Sequence, residues 1–385
     1  MRLYTKGMSD FNRVVAMNTL GGIGMGMVGV FTPIYLLELG YSFPIVVSWL
    51  LTHHVSLLIS AFLAVWVAKR IGLVQCWYLR TFFVGLLIMG LYLLPGHAWL
   101  LFPLAFVSGL ESALFWIPYN IFTVRKTESG SMGSSLAFMQ NVGSVVGILT
   151  PGVAALVIVI YGYNLLFVIA AIFIALSLVP VLALRKEKVS FEFSWRAVKE
   201  IASKNKSFII PEILDNLGQD AQIIWTLYIF ITALTILDIG FLGVLVGIIG
   251  IFVTYSTGRL IDQWDVQAVV RFGAMSATVL WIASYFVAIY DPSPLMLYAV
   301  TALRGFAIGI FATSYATLMF NRARAADAQF LVLREVPTIF GRVVLFLATL
   351  FFISIGHIEL TFLLVAALSL YFWFNNLNRL MGKEE

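Results

Sequence analysis

Seven ionisable residues of this chain stand inside apolar runs long enough to cross a bilayer: Glu111, Asp215, Asp220, Arg304, Arg334, Glu335 and Arg342. A charge at the bilayer centre costs at least about 2.5–3.5 kcal/mol, so such residues mark a solute or proton path unless they pair for structure alone. Guanidinium keeps its charge and can fork onto a carboxylate or phosphate, which makes Arg342, with Arg334 and Arg304, the candidate anion ligands. Asp215, Asp220 and Glu335 are better suited to proton coupling, because a carboxyl beside a cation gains or loses a proton as a charged solute comes and goes. Glu335 and Arg342 are seven residues apart, hence on one helix face but about 10.5 Å apart along the axis, and Arg334 points about 100° away from Glu335. Both arginines therefore need carboxylates from other helices. The alternative is a neutralised network that only holds helices together.

Glu111 has no buried cation in its half of the chain by this reading. It is either a proton carrier or a neutral carboxyl hydrogen-bonded between helices. Glu212 lies nearer the end of its run, where solvent can reach it. His53 and His54 are adjacent, so they diverge by about 100° and cannot line one wall together, which favours one satisfied histidine and one near water over a metal site. Trp116, Tyr119, Asn120, Gln140, Trp225 and Tyr228 could stack on or hydrogen-bond to a solute, or could simply pack. Gly21, Gly22, Gly24, Gly26 and Gly29, interleaved with Met25 and Met27, give a face that lets other helices approach closely or forms a pliable cavity wall.

The elements that position these groups follow from composition. Of 385 residues, 61% are hydrophobic and 11% charged, and the mean hydropathy is +0.98. That apolar content is close to the roughly 240 residues that twelve spans of about 20 need. Continuous rather than alternating apolar runs select helices over a barrel. The expected spans are 14–38, 44–68, 77–95, 99–124, 133–160 and 164–184, then 208–234, 239–261, 270–290, 295–320, 328–355 and 359–377. The first reads as an uncleaved anchor. Apart from Arg304, Arg334 and Arg342, the 24 Lys and Arg residues fall at the N-terminus, the C-terminal tail and the even-numbered loops. Among them are Lys69, Arg70 and Arg80 of the loop after the second span. Both termini are therefore expected on the cytoplasmic side. The net charge of +5 then reflects membrane orientation and gives no reason to expect nucleic acid. Cys76 is the only cysteine, which excludes a disulfide framework. Phosphate-binding loops, zinc-protease patterns and nucleophile–base pairs are absent, so no enzyme, cofactor or metal is expected and the energy source would be a gradient.

Residues 185–206 have a charged, loop-like composition, with a short surface helix expected behind Ser194. They divide the chain into a six-helix bundle over 1–184 and another over 207–385. The halves read as copies. Ala137–Gly147 matches Leu331–Gly341, and Gly109–Tyr119 matches Gly305–Tyr315, at nearly constant offset. Gln140 and Asn141 thus take the places of Arg334 and Glu335. Between the eighth and ninth spans, Gly258-Arg259-Leu260-Ile261-Asp262 resembles the G-x-L-a-D core of the loop signature of the major facilitator superfamily. Val65 to Gly72 is a degraded copy, with Lys69 at the acidic position followed by Arg70 and Gly72. Gly143, Gly147 and Pro151-Gly152 are similar to the glycine-proline signature of the family's antiporters.

The resemblance implies an all-α membrane protein of twelve transmembrane helices in two pseudo-symmetric six-helix bundles. It implies that spans 3, 6, 9 and 12 face lipid while the others line a cavity, with the acids of span 7 nearest Arg334 and Arg342. It also implies secondary active transport of a small organic solute by alternating access, coupled to protons, and Arg304, Arg334 and Arg342 incline that solute toward an anionic or amphipathic one. Export of hydrophobic drugs is the second reading, and a ligand sensor without flux is the third. A monomer in a prokaryotic inner membrane is the expected setting.

Overall fold

A computed structural model describes residues 9–126, 132–184, 203, 206–325 and 328–374; the side chains of 123–126, 132–145, 206, 207, 262, 320–325 and 328–333 lie outside that description. The surface helix expected behind Ser194 falls outside it too. Every described element is helical, as a chain in hydrocarbon must be to satisfy its backbone groups internally. The chain divides into two compact units, Met1–Val198 and Lys199–Glu385.

The first unit contains α1 (Asp10–Gly29), α2 (Phe31–Glu38), α3 (Phe43–Arg70), α4 (Leu73–Leu93), α5 (Leu101–Lys126), α6 (Met132–Tyr161) and α7 (Tyr163–Ser177). The α1–α2 pair runs as one span, Asp10–Glu38. Gly72, at φ +115°, makes the turn that starts α4 at Leu73. The expected third span begins four residues later, at 77, and leaves Arg80 close to its cytoplasmic end. In the structure Arg80 lies about two turns inside α4. In this unit α3 and α4 pack on α5, while α1 leans on α6 and α7. Glycines set the closest approaches: a Cβ on Gly109 of α5 would meet the His53 carbonyl of α3, and one on Gly24 would meet Ile174 and the Ala170 carbonyl of α7.

The second unit contains α8 (Lys206–Thr232), α9 (Ile236–Gln263), α10 (Val266–Tyr290), α11 (Pro294–Ala325), α12 (Ala328–Ser354), α13 (Leu360–Ser369) and α14 (Tyr371–Phe374). Here α10 packs on α11, α8 on α12, and α9 on α11. A Cβ on Gly341 would meet the Ile213 backbone, so α8 and α12 touch almost backbone to backbone. Among the described residues nine helices are long and apolar enough to cross a membrane, and Val146–Tyr161 and Leu360–Phe374 are shorter apolar helices. The remaining span is α8, whose apolar character is interrupted by Glu212, Asp215 and Asp220. Twelve spans result. Four helices carry a proline in their interior: Pro118 in α5, Pro151 in α6, Pro211 in α8 and Pro337 in α12.

Candidate functional site

In the first unit α4 and α5 bring together two charges that the sequence reading had kept apart. Arg80 Nε donates to Glu111 Oε2 at 3.0 Å, and both residues are buried, at 5% and 1% exposure. Three expectations are corrected here. Arg80 is not a loop cation, the first half does hold a buried cation, and Glu111 is paired. The third span, expected to face lipid, carries one member of the pair. The physical reason is mutual need, since neither charge could stay in hydrocarbon alone. Ser112 Oγ donates to Glu111 Oε1 at 3.0 Å, and the Phe115 ring lies under the guanidinium with 4.2 Å to its centroid. The Nη nitrogens of Arg80 have no hydrogen bond among the described residues.

Arg80 and Glu111 line a cavity of about 290 Å³, with Asn18, Thr19, Gly21, Gly22, Met25 and Gly26 on α1, Ser112, Phe115 and Trp116 on α5, and Val146, Gly147 and Thr150 on α6. Arg80 Nη1 sits 3.4 Å from where a Cβ of Gly21 would be, so the glycine makes room for the guanidinium. Trp116 is 48% exposed. Tyr119 is buried and stacks on Phe115 at 5.3 Å, which makes it a support for the wall. Asn120 is partly buried. The side chain of Gln140 lies outside the described residues. His53 Nδ1 is 2.9 Å from Ser108 Oγ, and His54 Nδ1 is 2.8 Å from the Leu50 carbonyl.

In the second unit the close approach of α8 and α12 assembles a polar cluster. Glu212 is fully buried, not solvated as expected. Its Oε1 accepts from Arg334 Nε at 2.6 Å, Thr338 Oγ1 at 3.0 Å and Asn216 Nδ2 at 3.3 Å. Its Oε2 accepts from Tyr315 at 3.4 Å. The sequence reading missed its importance by placing it near a helix end. Arg342 is held differently. Its Nη2 donates to Asn216 Oδ1 at 3.2 Å, and its Nε lies 3.7 Å from Asp220 Oδ1. Asp215 accepts from Gln219 at 2.8 Å. Glu335 is partly buried.

Arg304 is completely buried. Its guanidinium lies over Trp281 at 4.1 Å and Trp225 at 4.6 Å, and Nη1 donates to Ser284 Oγ at 3.0 Å. Trp225 Nε1 in turn donates to Thr301 Oγ1 at 2.8 Å. As arranged, Arg304 and Trp225 face each other and leave no surface for a solute, against the expectation that both bind one. Of the loop-signature residues, Arg259 lies over Tyr255 at 4.6 Å and Arg70 over Trp66 at 4.8 Å. Lys69 is exposed and Gly258 is partly buried, while the side chain of Asp262 is outside the described residues.

Comparison with solved structures finds the same fold at low identity. The crystal structure of the nucleoside transporter NupG (D323A mutant) is 14% identical over 97% of this chain and 100% of that one, with a TM-score of 0.67. A D-xylose-proton symporter is 12% identical over 95% and 98%, with a TM-score of 0.68. A POT family transporter in complex with 5-aminolevulinic acid is 10% identical over 94% of each chain, with a TM-score of 0.74. No curated protein sequence matches the chain. The family model described as Major Facilitator Superfamily matches residues 14–332. With twelve apolar spans and that match over most of its length, the chain belongs to the major facilitator superfamily and is a secondary transporter by fold.

Proposed function

We propose that the chain couples protons to the transport of a small amphipathic solute bearing an acidic group, by alternating access. The observation that carries this reading is the Arg80–Glu111 pair at the cavity wall. While the pair is intact the wall is neutral and offers an anion little. Once Glu111 takes a proton, the Arg80 charge is unbalanced, and its Nη nitrogens are free to hold an anionic group. Protonation and anion binding then favour each other by the same factor, as linkage requires. Loss of the proton restores the pair and releases the anion. One proton would move with each monoanion, and the cycle would be electroneutral.

Arg80 and Glu111 are the titratable groups among the described cavity-lining residues. From α3, which packs on α5, His53 meets Ser108 about one turn before Glu111. In the second unit we assign Arg334–Glu212 to helix docking, and the looser Arg342–Asp220 contact to the moving solute or proton. We read the two units as the paired bundles of the fold, with cytoplasmic termini, in a prokaryotic inner membrane and acting as a monomer.

The test uses purified protein in liposomes, with a labelled solute first identified by thermal shift over acids, sugars, nucleosides and drugs. A pH gradient should drive accumulation by the wild type. Glu111→Gln should exchange labelled for unlabelled solute without accumulating it. Accumulation by Glu111→Gln would remove Glu111 from coupling. Binding without flux in the wild type would replace transport with ligand sensing.

A further inference from the structure

Among the described residues three hydroxyls line the cavity, those of Thr19, Ser112 and Thr150. A hydroxyl inside a helix commonly gives its proton to the carbonyl four residues back. Thr19 does so to Val15 and Thr150 to Val146, each at 2.8 Å. Ser112 instead donates to a side chain, Glu111 Oε1, at 3.0 Å. Sequence neighbours on a helix diverge by about 100° and do not face each other. The contact therefore means that the Glu111 side chain curls round α5 toward the serine, which stands on the cavity wall.

The two oxygens of Glu111 are thereby divided. Oε2 holds Arg80 Nε at 3.0 Å, where a fixed positive charge repels an arriving proton, and Oε1 holds Ser112. Glu111 is 1% exposed, so cavity water meets the half-buried serine and not the carboxylate. Resting on the coupling role given to Glu111 above, we propose that Ser112 is the relay that passes protons between cavity water and Glu111. A hydrated proton bonds to Ser112 Oγ as the original hydroxyl proton passes to Glu111 Oε1. One Oγ–H bond breaks, another forms, an Oε1–H bond appears, and the serine stays neutral with its new proton toward the cavity. Glu111 then donates to Ser112 where it had accepted. Release runs the same steps backward.

The neighbouring elements offer Glu111 no equivalent path. Arg80 of α4 sits on the other oxygen and keeps its protons. His53 of α3 meets Ser108, about one turn away. From α1 and α6 come Asn18, Thr19 and Thr150, none of which titrates. Threonine and valine give the discriminating pair, since they have nearly the same shape and differ by a hydroxyl against a methyl. Ser112→Thr keeps the relay, whereas Ser112→Val removes it and fills the space that water would otherwise take.

The experiment follows the proton itself, in full-length protein reconstituted in liposomes, by time-resolved infrared spectroscopy after a pH jump. The signal is the carbonyl band of a protonated carboxyl that Glu111→Gln lacks. Ser112→Thr should show the band rising at close to the wild-type rate, and Ser112→Val should slow it about 10²-fold, the lower end of what a positioned proton-transfer group contributes. A serine that only stabilises the carboxylate would shift the pH at which the band appears and leave the rate intact, so equal rates in the two variants overturn the relay and leave coupling by Glu111 standing. The wild type gives a second measurement should Ser112→Val not fold. Its rate, plotted against the deuterium fraction of the water, should bend downward, because two protons move in one step; a straight line overturns the relay. If the wild type shows no such band at any pH, Glu111 takes no proton and its coupling role falls together with the relay.

Discussion

Arg334 and Arg342 stand two turns apart on α12 and reach the same helix, α8, yet they are held in opposite ways. Arg334 meets Glu212 at 2.6 Å around a carboxylate with four donors. Arg342 stands 3.7 Å from Asp220. Both carboxylates are buried, but breaking the tight, many-donor pair leaves the larger uncompensated interaction, up to about 3–5 kcal/mol, whereas the contact at 3.7 Å contributes less. Arg334→Gln should therefore lower the melting temperature sharply. Arg342→Gln should lower it less while reducing transport. Equal melting temperatures for the two variants would show that Glu212 finds another partner.

The Arg80–Glu111 pair lends itself to a double-mutant cycle. Either single replacement, Arg80→Gln or Glu111→Gln, removes one partner, but the two differ: Arg80→Gln strands a carboxylate that a proton can neutralise, while Glu111→Gln strands a guanidinium that cannot be neutralised. Denaturation at neutral pH should show the single variants destabilised by up to about 3–5 kcal/mol and the double variant recovering much of it. Additive losses would mean that the contact contributes little.

Acidity should act on the first variant selectively. The Glu111 carboxylate stranded by Arg80→Gln becomes neutral as pH falls, so that variant should gain stability relative to wild type on acidification. Melting curves over a pH series check this, and parallel curves would count against an ionised Glu111 in the native pair.

Arg304 differs again, because aromatic faces and one serine surround it instead of a carboxylate. Arg304→Met keeps the length and removes the buried charge, and should be neutral or stabilising, as hydrophobic replacements of buried ions often are. Trp281→Leu, which keeps the charge and removes one face, should cost about 0.5–2 kcal/mol for the lost cation–π contact plus its packing. Thermal unfolding of the two variants side by side gives the sign of each.

Backbone approach gives the last comparison. Gly341→Ala inserts a methyl into the Ile213 backbone and Gly109→Ala into the His53 carbonyl. Neither obstacle is a flexible side chain, so both should lose about 1–3 kcal/mol or more despite the better helix propensity of alanine. Expression and melting temperature, measured against Gly22→Ala, where a Cβ would meet only Val146 at 3.7 Å, report the difference.

Continuous apolar runs were enough to read the twelve spans, because hydrocarbon leaves a backbone few options. Pairing between helices was far less legible. Arg80 reads as a loop cation only because it falls near the start of the expected third span, next in order after Lys69 and Arg70 of the turn. Gly72 was the available signal: with the helix starting just after it, Arg80 falls inside the membrane, where Glu111 needs a cation. Glu212 was misjudged by its distance from a helix end, which says nothing of the neighbouring helix that covers it. Arg334 did find its acid on another helix, as its divergence of about 100° from Glu335 on α12 demanded, but which acid it took depended on Gly341 and the backbone approach it allows.

The interior prolines touch the polar groups in sequence. Pro211 precedes Glu212, Pro337 precedes Thr338, Pro151 follows Thr150, and Pro118 lies one turn beyond Phe115. Each removes a rung of the helical ladder and leaves a carbonyl one turn back without its usual donor, so these are the points where a helix bends at least cost. A bend at Pro211 or Pro337 swings a ligand of the Glu212 cluster, and a bend at Pro118 or Pro151 tilts a wall of the cavity. Mechanical compliance and chemical function are thus built into the same turns, so a change in helix shape is at once a change in what the polar groups can hold.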